Sequence, residues 1–387
     1  MTETEISTDY FDEHQTSSIY EYDRERFLGK YEKKLQTLNF TDFLRINKIV
    51  PIRLVGEGAF GSVYHAFSLD NGIVAVKIFE KEKYDSREIN VAIQLSKIIS
   101  ILGYGICEHT IDFIAKQPKI LLPSYALRAL MKQILEGMRA FHAADLVHRD
   151  IKCDNILLHS PPGSGLVHAK ISDFGFAKKV DLINEQTYLA GTIPFMSPEL
   201  FDMHIIITQK VDIYALGIAF YKLIIHKYPV NEKSFKEQQK KITQLKCIER
   251  PSEIIDDILW DLLSMLLEFD TNKRITAAEA LQHPYFTSPE ALADISQEQY
   301  DIAQQAIKAQ LEGDQNITQF DKDPTFIVAE SIIKQFILSY IQSLLPKLQS
   351  DIEQSEKKQE ESQIEDQQTI ENRQIGSKQR GNILSGG

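Results

Sequence analysis

The chain has 387 residues, 43% of them apolar, which is enough for one large two-lobed domain or two medium ones around a real core. Its net charge of -12 makes it a poor candidate for non-specific binding to nucleic acid or anionic membranes, and it lacks the run of about 18 uncharged apolar residues that a membrane span needs. Cys107, Cys153 and Cys247 show no metal-ligand spacing and suit a reducing compartment, so a cytoplasmic location is expected; the acidic, polar opening from Met1 to Tyr20 does not read as a signal peptide.

Charge and composition divide the chain. Residues 1–48 carry a net -3, residues 49–287 a net -1 and residues 288–387 a net -8. Residues 1–45 read as an acidic extension, partly disordered. The apolar patterning that follows begins with strands: Ile49 to Val55, Ser62 to Phe67 and Ile73 to Phe79, with a hairpin signal at Asp70-Asn71-Gly72. A further apolar run, Ile120 to Leu122, reads as a strand that passes a Pro-Ser turn and enters a helix almost directly. That helix, Leu127 to Ala143, carries an apolar stripe of Leu127, Leu130, Met131, Ile134, Leu135, Met138 and Phe141. More helices are expected at Val211 to Ile225 and Ile255 to Leu267. A last amphipathic helix is read over Thr325 to Leu348, inside a helical extension spanning 288–348. The Gln/Glu-rich residues 349–387 read as disordered.

Five motifs carry chemistry. Gly56-Glu57-Gly58-Ala59-Phe60-Gly61-Ser62-Val63 has the glycine spacing that lets backbone approach phosphates. A dinucleotide-binding fingerprint should run into a helix, but the strand-like Val63 to Phe67 follows, giving a strand, glycine turn and strand. Val74-Ala75-Val76-Lys77 puts a lysine on a strand, where it either edges into water or holds phosphates. His148-Arg149-Asp150-Ile151-Lys152-Cys153-Asp154-Asn155 gathers a carboxylate, an amine and an amide in one loop. Phosphoryl transfer needs an orienter for the incoming hydroxyl, a cation for the moving phosphate and an oxygen ligand for Mg2+, and Asp150, Lys152 and Asn155 match these in order. Asp173-Phe174-Gly175 supplies a second candidate Mg2+ carboxylate. Gly191-Thr192-Ile193-Pro194-Phe195-Met196-Ser197-Pro198-Glu199 closes the segment that Asp173 opens.

In this order the motifs resemble those of eukaryotic protein kinases, over residues 46–287. The resemblance implies an α+β, bilobal fold with a small β-rich lobe, about 46–122, and a larger helical lobe, about 127–287. It implies ATP and Mg2+ as cofactors and protein Ser/Thr hydroxyls as acceptors, since Lys152 and the Gly191-Thr192 pair resemble the serine/threonine type. Asp150 and Lys152 are then catalytic, and Asn155 and Asp173 hold metal. Gly56, Glu57, Gly58, Gly61, Val63, Ala75, Lys77, Glu88, Leu121, Leu122 and Leu157 fall at nucleotide-binding positions. Glu88 is the expected partner of Lys77, though it also reads as a solvated helix residue. Asp212, Glu199 and Arg274 resemble structural residues, Asp212 tying down the catalytic loop and Arg274 pairing with Glu199. Arg149, Thr187 and Tyr188 resemble a regulatory set in which an activation-segment phosphate meets the arginine, and Thr192 would line the acceptor site. Calcium/calmodulin-type and unc-51-like kinases are resembled about equally.

Two departures stand out. His148 follows Lys77 about 20 residues sooner than the family pattern implies. The shortfall is read as a short connector before Glu88 and as a lost hinge and short helix between Leu122 and Leu127. Leu121 to Ser124 would then face adenine, and a catalytically impaired pseudokinase or scaffold becomes the alternative reading. The amphipathic stretch 325–348 is either a docking helix on its own domain or a partner-binding element.

Overall fold

The computed structural model describes the backbone of residues 49–58, 61–68 and 72–79, and residues 109–118, 120–161, 163–179, 191–202, 207–336, 338–339 and 342. The N-terminal segment 1–45, Glu88, Thr187, Tyr188 and the tail 349–387 lie outside the described residues. The described residues fall into two compact units, one with the first three strands and one with everything from His109 onward.

The small unit is an antiparallel sheet in the order β1 (Ile49–Gly58), β2 (Gly61–Ser68), β3 (Gly72–Phe79). β1 and β2 form a hairpin whose last pair is Gly58 opposite Gly61, so the glycine motif is a strand turn as expected, not a helix start. A register irregularity between Leu54 and Gly56 breaks the ladder as β1 enters the motif. Lys77 of β3 stands opposite Val63 of β2, which ties the lysine strand in register to the glycine hairpin.

The larger unit opens with a two-residue strand, β4 (His109–Thr110), and a short helix, α1 (Ile111–Ala115). The long helix α2 (Ser124–Ala143) follows. Here the structure corrects the sequence reading. A short helix does precede the long one; it lies at 111–115, upstream of where it appeared to be missing. Ile120 to Leu122 is not a strand but the connector between the two helices, and the Leu121 side chain is 70% exposed. The stretch between Leu122 and Leu127 is therefore not where a short helix has been lost, since one stands just upstream at 111–115. α2 begins three residues earlier than its apolar stripe, directly after Pro123, which fits proline at a helix start. Every residue of the expected stripe is buried.

Around α2 pack β5 (Leu146–Val147), paired with β8 (Lys178–Lys179), and the hairpin β6 (Ile156–His159) and β7 (Leu166–Ile171). β4 pairs with β6, His109 opposite Leu158 and Thr110 opposite Leu157. Helix α3 (Lys210–Ile225) is buried on nearly all sides, as its almost unbroken apolar sequence requires. It is the core of this unit, and Gly217 lets Leu267 approach it: a Cβ there would meet the Leu267 side chain at 2.8 Å. α4 (Phe235–Ile242), α5 (Asp257–Leu266), α6 (Ala277–Ala280) and α7 (Pro284–Thr287) complete the unit.

The chain then continues into α8 (Pro289–Ala293) and α9 (Gln297–Leu311), the latter started by a capping box of Ser296 and Gln299. The expected helix from Thr325 does not start there. Pro324–Phe326 is a single 3-10 turn, and Val328–Ala329 forms β9, which pairs with Leu166 and Val167 of β7. Helix begins only at 330. Strand pairing wins because β7 offers an open edge there, and because Gln299 Nε2 donates to the Ile327 carbonyl at 2.7 Å, fixing the approach. Ile332, Ile333 and Phe336 are buried in the common core, so over 330–336 the apolar face packs on its own domain.

Candidate active site

The loop between β5 and β6 carries the densest set of polar contacts. Asp150 is 5% exposed, and three donors converge on its carboxylate. Lys152 Nζ donates to Oδ2 at 2.7 Å, Thr192 Oγ1 donates to Oδ1 at 3.0 Å, and Asn155 Nδ2 reaches Oδ2 at 3.2 Å while also donating to the Asp150 carbonyl at 2.8 Å. Lys152 Nζ also lies 3.4 Å from Thr192 Oγ1. Three side chains from two segments about 40 residues apart in sequence thus meet at one carboxylate.

The loop is bent to do this. Arg149 and Asp173 both have left-handed backbone, with φ of 68° and 64°, a conformation that costs a non-glycine residue free energy and must be held by its surroundings. The restraint on Arg149 is visible: its backbone N–H donates to Asp212 Oδ1 at 2.8 Å and its side-chain Nε to the Phe176 carbonyl at 2.6 Å. Beyond Asp173, Phe174 is buried and stacks on Phe141 of α2 at 5.7 Å, with the His148 ring edge-on at 5.6 Å. Gly191, at φ 120°, brings Thr192 to the loop; a Cβ there would come within 3.0 Å of the Arg149 carbonyl oxygen.

Asp212, in the first turn of α3, is fully buried beneath the loop. Its Oδ2 accepts from the His148 backbone N–H at 2.8 Å and lies 2.9 Å from His142 Nε2. His148 is itself buried. Its Nδ1 accepts from the Asp150 backbone N–H, which leaves Nε2 to donate to the Ser172 carbonyl at 3.0 Å. Burial pushes its pKa down, with the Asp212 charge pulling the other way, and it acts as a neutral strut. Cys153, between Lys152 and Asn155, is buried and its thiol is pushed up to about 12 by burial, so it is inert packing.

A second buried anchor holds the end of the acceptor segment. Arg274 has no exposed side-chain surface and grips Glu199 through two bonds of 2.7 and 2.9 Å, with further bonds to the Glu268 and Lys210 carbonyls. A third joins α1 to α3: Lys222 and Lys116 both lie 2.5 Å from the Asp112 carboxylate. Burial works against that carboxylate's charge, but the two lysines outweigh it and hold its pKa low. This cluster seats the short helix that the sequence reading took as lost.

The structure brings together Asp150, Lys152, Asn155 and Thr192, while Arg149 and Asp173 are the chain neighbours of His148 and Phe174 in one cluster of aromatic and imidazole rings. Asp212, Glu199 and Arg274 stand as anchors. Leu157 sits on β6 opposite Thr110. Leu121 and Leu122 follow α1, on the far side of it from β4. The glycine hairpin, Val63, Ala75 and Lys77 belong to the other unit, and Glu88, Thr187 and Tyr188 lie outside the described residues. Sequence reasoning missed His142 and read Phe141 only as part of the apolar stripe, because an apolar and a polar residue near a helix end look like ordinary packing.

Comparison with known proteins agrees with this arrangement. The family described as protein kinase domain matches residues 49–286. The human serine/threonine-protein kinase ULK3 is 25% identical over 298 residues, covering 70% of this chain and 61% of that protein. The Aurora kinase of Eremothecium gossypii is 28% identical over 286 residues, covering 65% and 71%. The mouse sperm motility kinase 3A is 36% identical over 166 residues, covering 43% and 32%. The chain thus spans about three-fifths of the length of its human relative. With the family matched over more than half of the sequence and its catalytic-loop residues gathered at one carboxylate, the chain belongs to the protein kinase family, among relatives of serine/threonine type.

Proposed function

We propose that this protein is a serine/threonine protein kinase that transfers the γ-phosphate of ATP, with Mg2+, to hydroxyls of protein substrates. The observation that carries the reading is the Asp150 carboxylate with Lys152, Thr192 and Asn155 converging on it. A carboxylate so held can accept a hydrogen bond from an incoming hydroxyl and fix its line of attack, while the adjacent lysine offers positive charge to the moving phosphate. Thr192, bonded to the same carboxylate, belongs beside the acceptor.

The donor chemistry fits Mg2+. Asn155 has committed its Nδ2 to Asp150, so its amide oxygen is the ligand atom it has to give, and Asp173 adds a carboxylate; both are the hard oxygen donors that Mg2+ prefers. When bound, the ion would neutralise phosphate charge. Gly56, Gly58, Gly61 and Lys77 are proposed to hold the nucleotide phosphates, Lys77 paired with Glu88, with Val63, Ala75 and Leu157 against the base. Since α1 is present, the segment expected to face adenine precedes His109 and is not Leu121 to Ser124. That removes the missing-helix argument for an impaired kinase. Phosphorylation of Thr187, with Arg149 as its counter-charge, is proposed to raise activity; fully active enzyme with an unmodified 180–190 segment by mass spectrometry would refute it.

The decisive experiment compares phosphate transfer from Mg-ATP to a generic protein substrate by the natural chain and by Asp150→Asn. A fall of about 10²–10⁴ in rate is expected, with the melting temperature little changed. Equal rates would overturn the reading.

A further inference from the structure

A pocket of about 390 Å³ lies away from the catalytic loop, and seven of its sixteen lining residues come from outside the kinase-family match. One side is α2 and the β6–β7 hairpin; the other is the segment 315–327 of the C-terminal extension. Its volume is at the small end of the range of ligand sites. The wall is mixed. Phe320 and Phe326 form a tilted ring pair at 5.0 Å, and His159 and His168, opposite each other across the hairpin, stack at 6.4 Å.

The polar feature of the pocket is Asp321, which is 6% exposed. Its Oδ2 accepts two bonds of 2.7 Å, from the Thr318 N–H and hydroxyl. Its Oδ1 lies 3.7 Å from His168 Nε2, beyond hydrogen-bond length. Burial pushes the His168 pKa down to about 4, so at neutral pH the ring is uncharged and does not neutralise Asp321. The other ionic groups on the wall are Glu136, held through both oxygens by Arg139, and Lys170. The pocket thus presents a buried carboxylate with one oxygen to give, flanked by flat rings whose faces attract cations. Lys132 already places its ammonium 4.2 Å from the centre of the Phe326 ring.

We propose that this pocket binds a small, flat aromatic molecule with a cationic, N–H-bearing edge, the Asp321 carboxylate receiving that edge and the Phe320, Phe326 and His168 rings flanking its body. A buried carboxylate gains most from a partner that is charged and brings its own donors, and a planar nitrogen cation also stacks on rings. An anionic ligand of the same shape would bring its charge against Asp321.

The test uses the full chain at pH 7 and two probes of like size and opposite charge, benzamidine and benzoate, titrated by calorimetry with excess Mg-ATP present to occupy the nucleotide site. Benzamidine should bind at least tenfold more tightly than benzoate. Asp321→Asn should remove that preference, and Phe320→Leu, which takes away a flanking ring and leaves the carboxylate, should weaken benzamidine several-fold. If Asp321→Asn fails to give a cooperative melting transition, Phe320→Leu decides. Equal affinities, no benzamidine binding at millimolar concentration, or a preference that neither variant alters would overturn the proposal.

Discussion

The catalytic loop and the C-terminal extension each bury an aspartate, and the two are satisfied differently. Asp212 has donors on both oxygens, two of them backbone N–H groups of the loop above it. Asp321 has two donors on one oxygen and a neutral imidazole at 3.7 Å from the other. A carboxylate satisfied on both sides is scaffold: its charge is spent on holding backbone. A carboxylate satisfied on one side keeps electrostatic capacity for something else, and burial makes that capacity strong. The same residue type at similar depth therefore marks a strut in one region and a receptor in the other.

The comparison is broken most directly at Asp212. Asp212→Ala strips three buried donors of their acceptor and should cost about 3–5 kcal/mol in chemical denaturation, with transfer activity collapsing alongside. A variant of full stability would mean the loop is held by something other than this carboxylate. Next comes Thr192, whose hydroxyl bonds the Asp150 carboxylate proposed to orient the acceptor. A hydrogen bond to a charged group is worth about 1.5–3 kcal/mol, so Thr192→Ala should slow transfer roughly 10- to 100-fold with little change in melting temperature, and Thr192→Ser should restore most of it. Loss of stability without loss of rate would move Thr192 to the structural side. In the extension, Gln299→Leu leaves the Ile327 carbonyl and the Ser296 N–H without their partner and should cost about 1–3 kcal/mol, while transfer per folded molecule stays unchanged. A change in rate equal to that of Thr192→Ala would show that the extension reaches the chemistry.

The smallest effect is a pH slope. The folded-state pKa of His168 is depressed to about 4 against an ordinary 6.5, so between these values the unfolded chain takes up a proton that the folded chain does not. Its contribution to stability is present above pH 6.5 and is lost as the pH falls towards 4. His168→Gln should flatten the melting-temperature profile across that window, and an unchanged slope would mean that the ring is protonated in the fold.

The sequence made the catalytic loop readable because its residues are chemically improbable together: a carboxylate, an amine and an amide within six positions have little to do as packing. Asp212, Glu199 and Arg274 were readable only through their place in the family order. What stayed hidden had no period to display. Helix α1 is only five residues long, too short to display a helical period, so nothing separated it from a strand or a turn. β9 is two residues long, and the amphipathic pattern around it favoured helix. Gln133 and Gln299 read as polar positions on helix surfaces, yet both turn their amides onto backbone: Gln133 bonds Val167 and Phe326 carbonyls and accepts from the Ala169 N–H. Amide side chains that replace a strand partner leave no mark in composition or periodicity.

β9 also has a practical meaning for anyone who trims this protein. The family match ends at residue 286, which makes that a tempting place to stop the chain. Stopping there would uncover the edge of β7 at Leu166 and Val167, together with the apolar seats now filled by Ile332, Ile333 and Phe336. A bare strand edge beside an apolar surface is a template on which molecules add to one another. The shortened protein should therefore self-associate more than the longer one, and an inactive aggregate from it would say nothing about the catalytic loop.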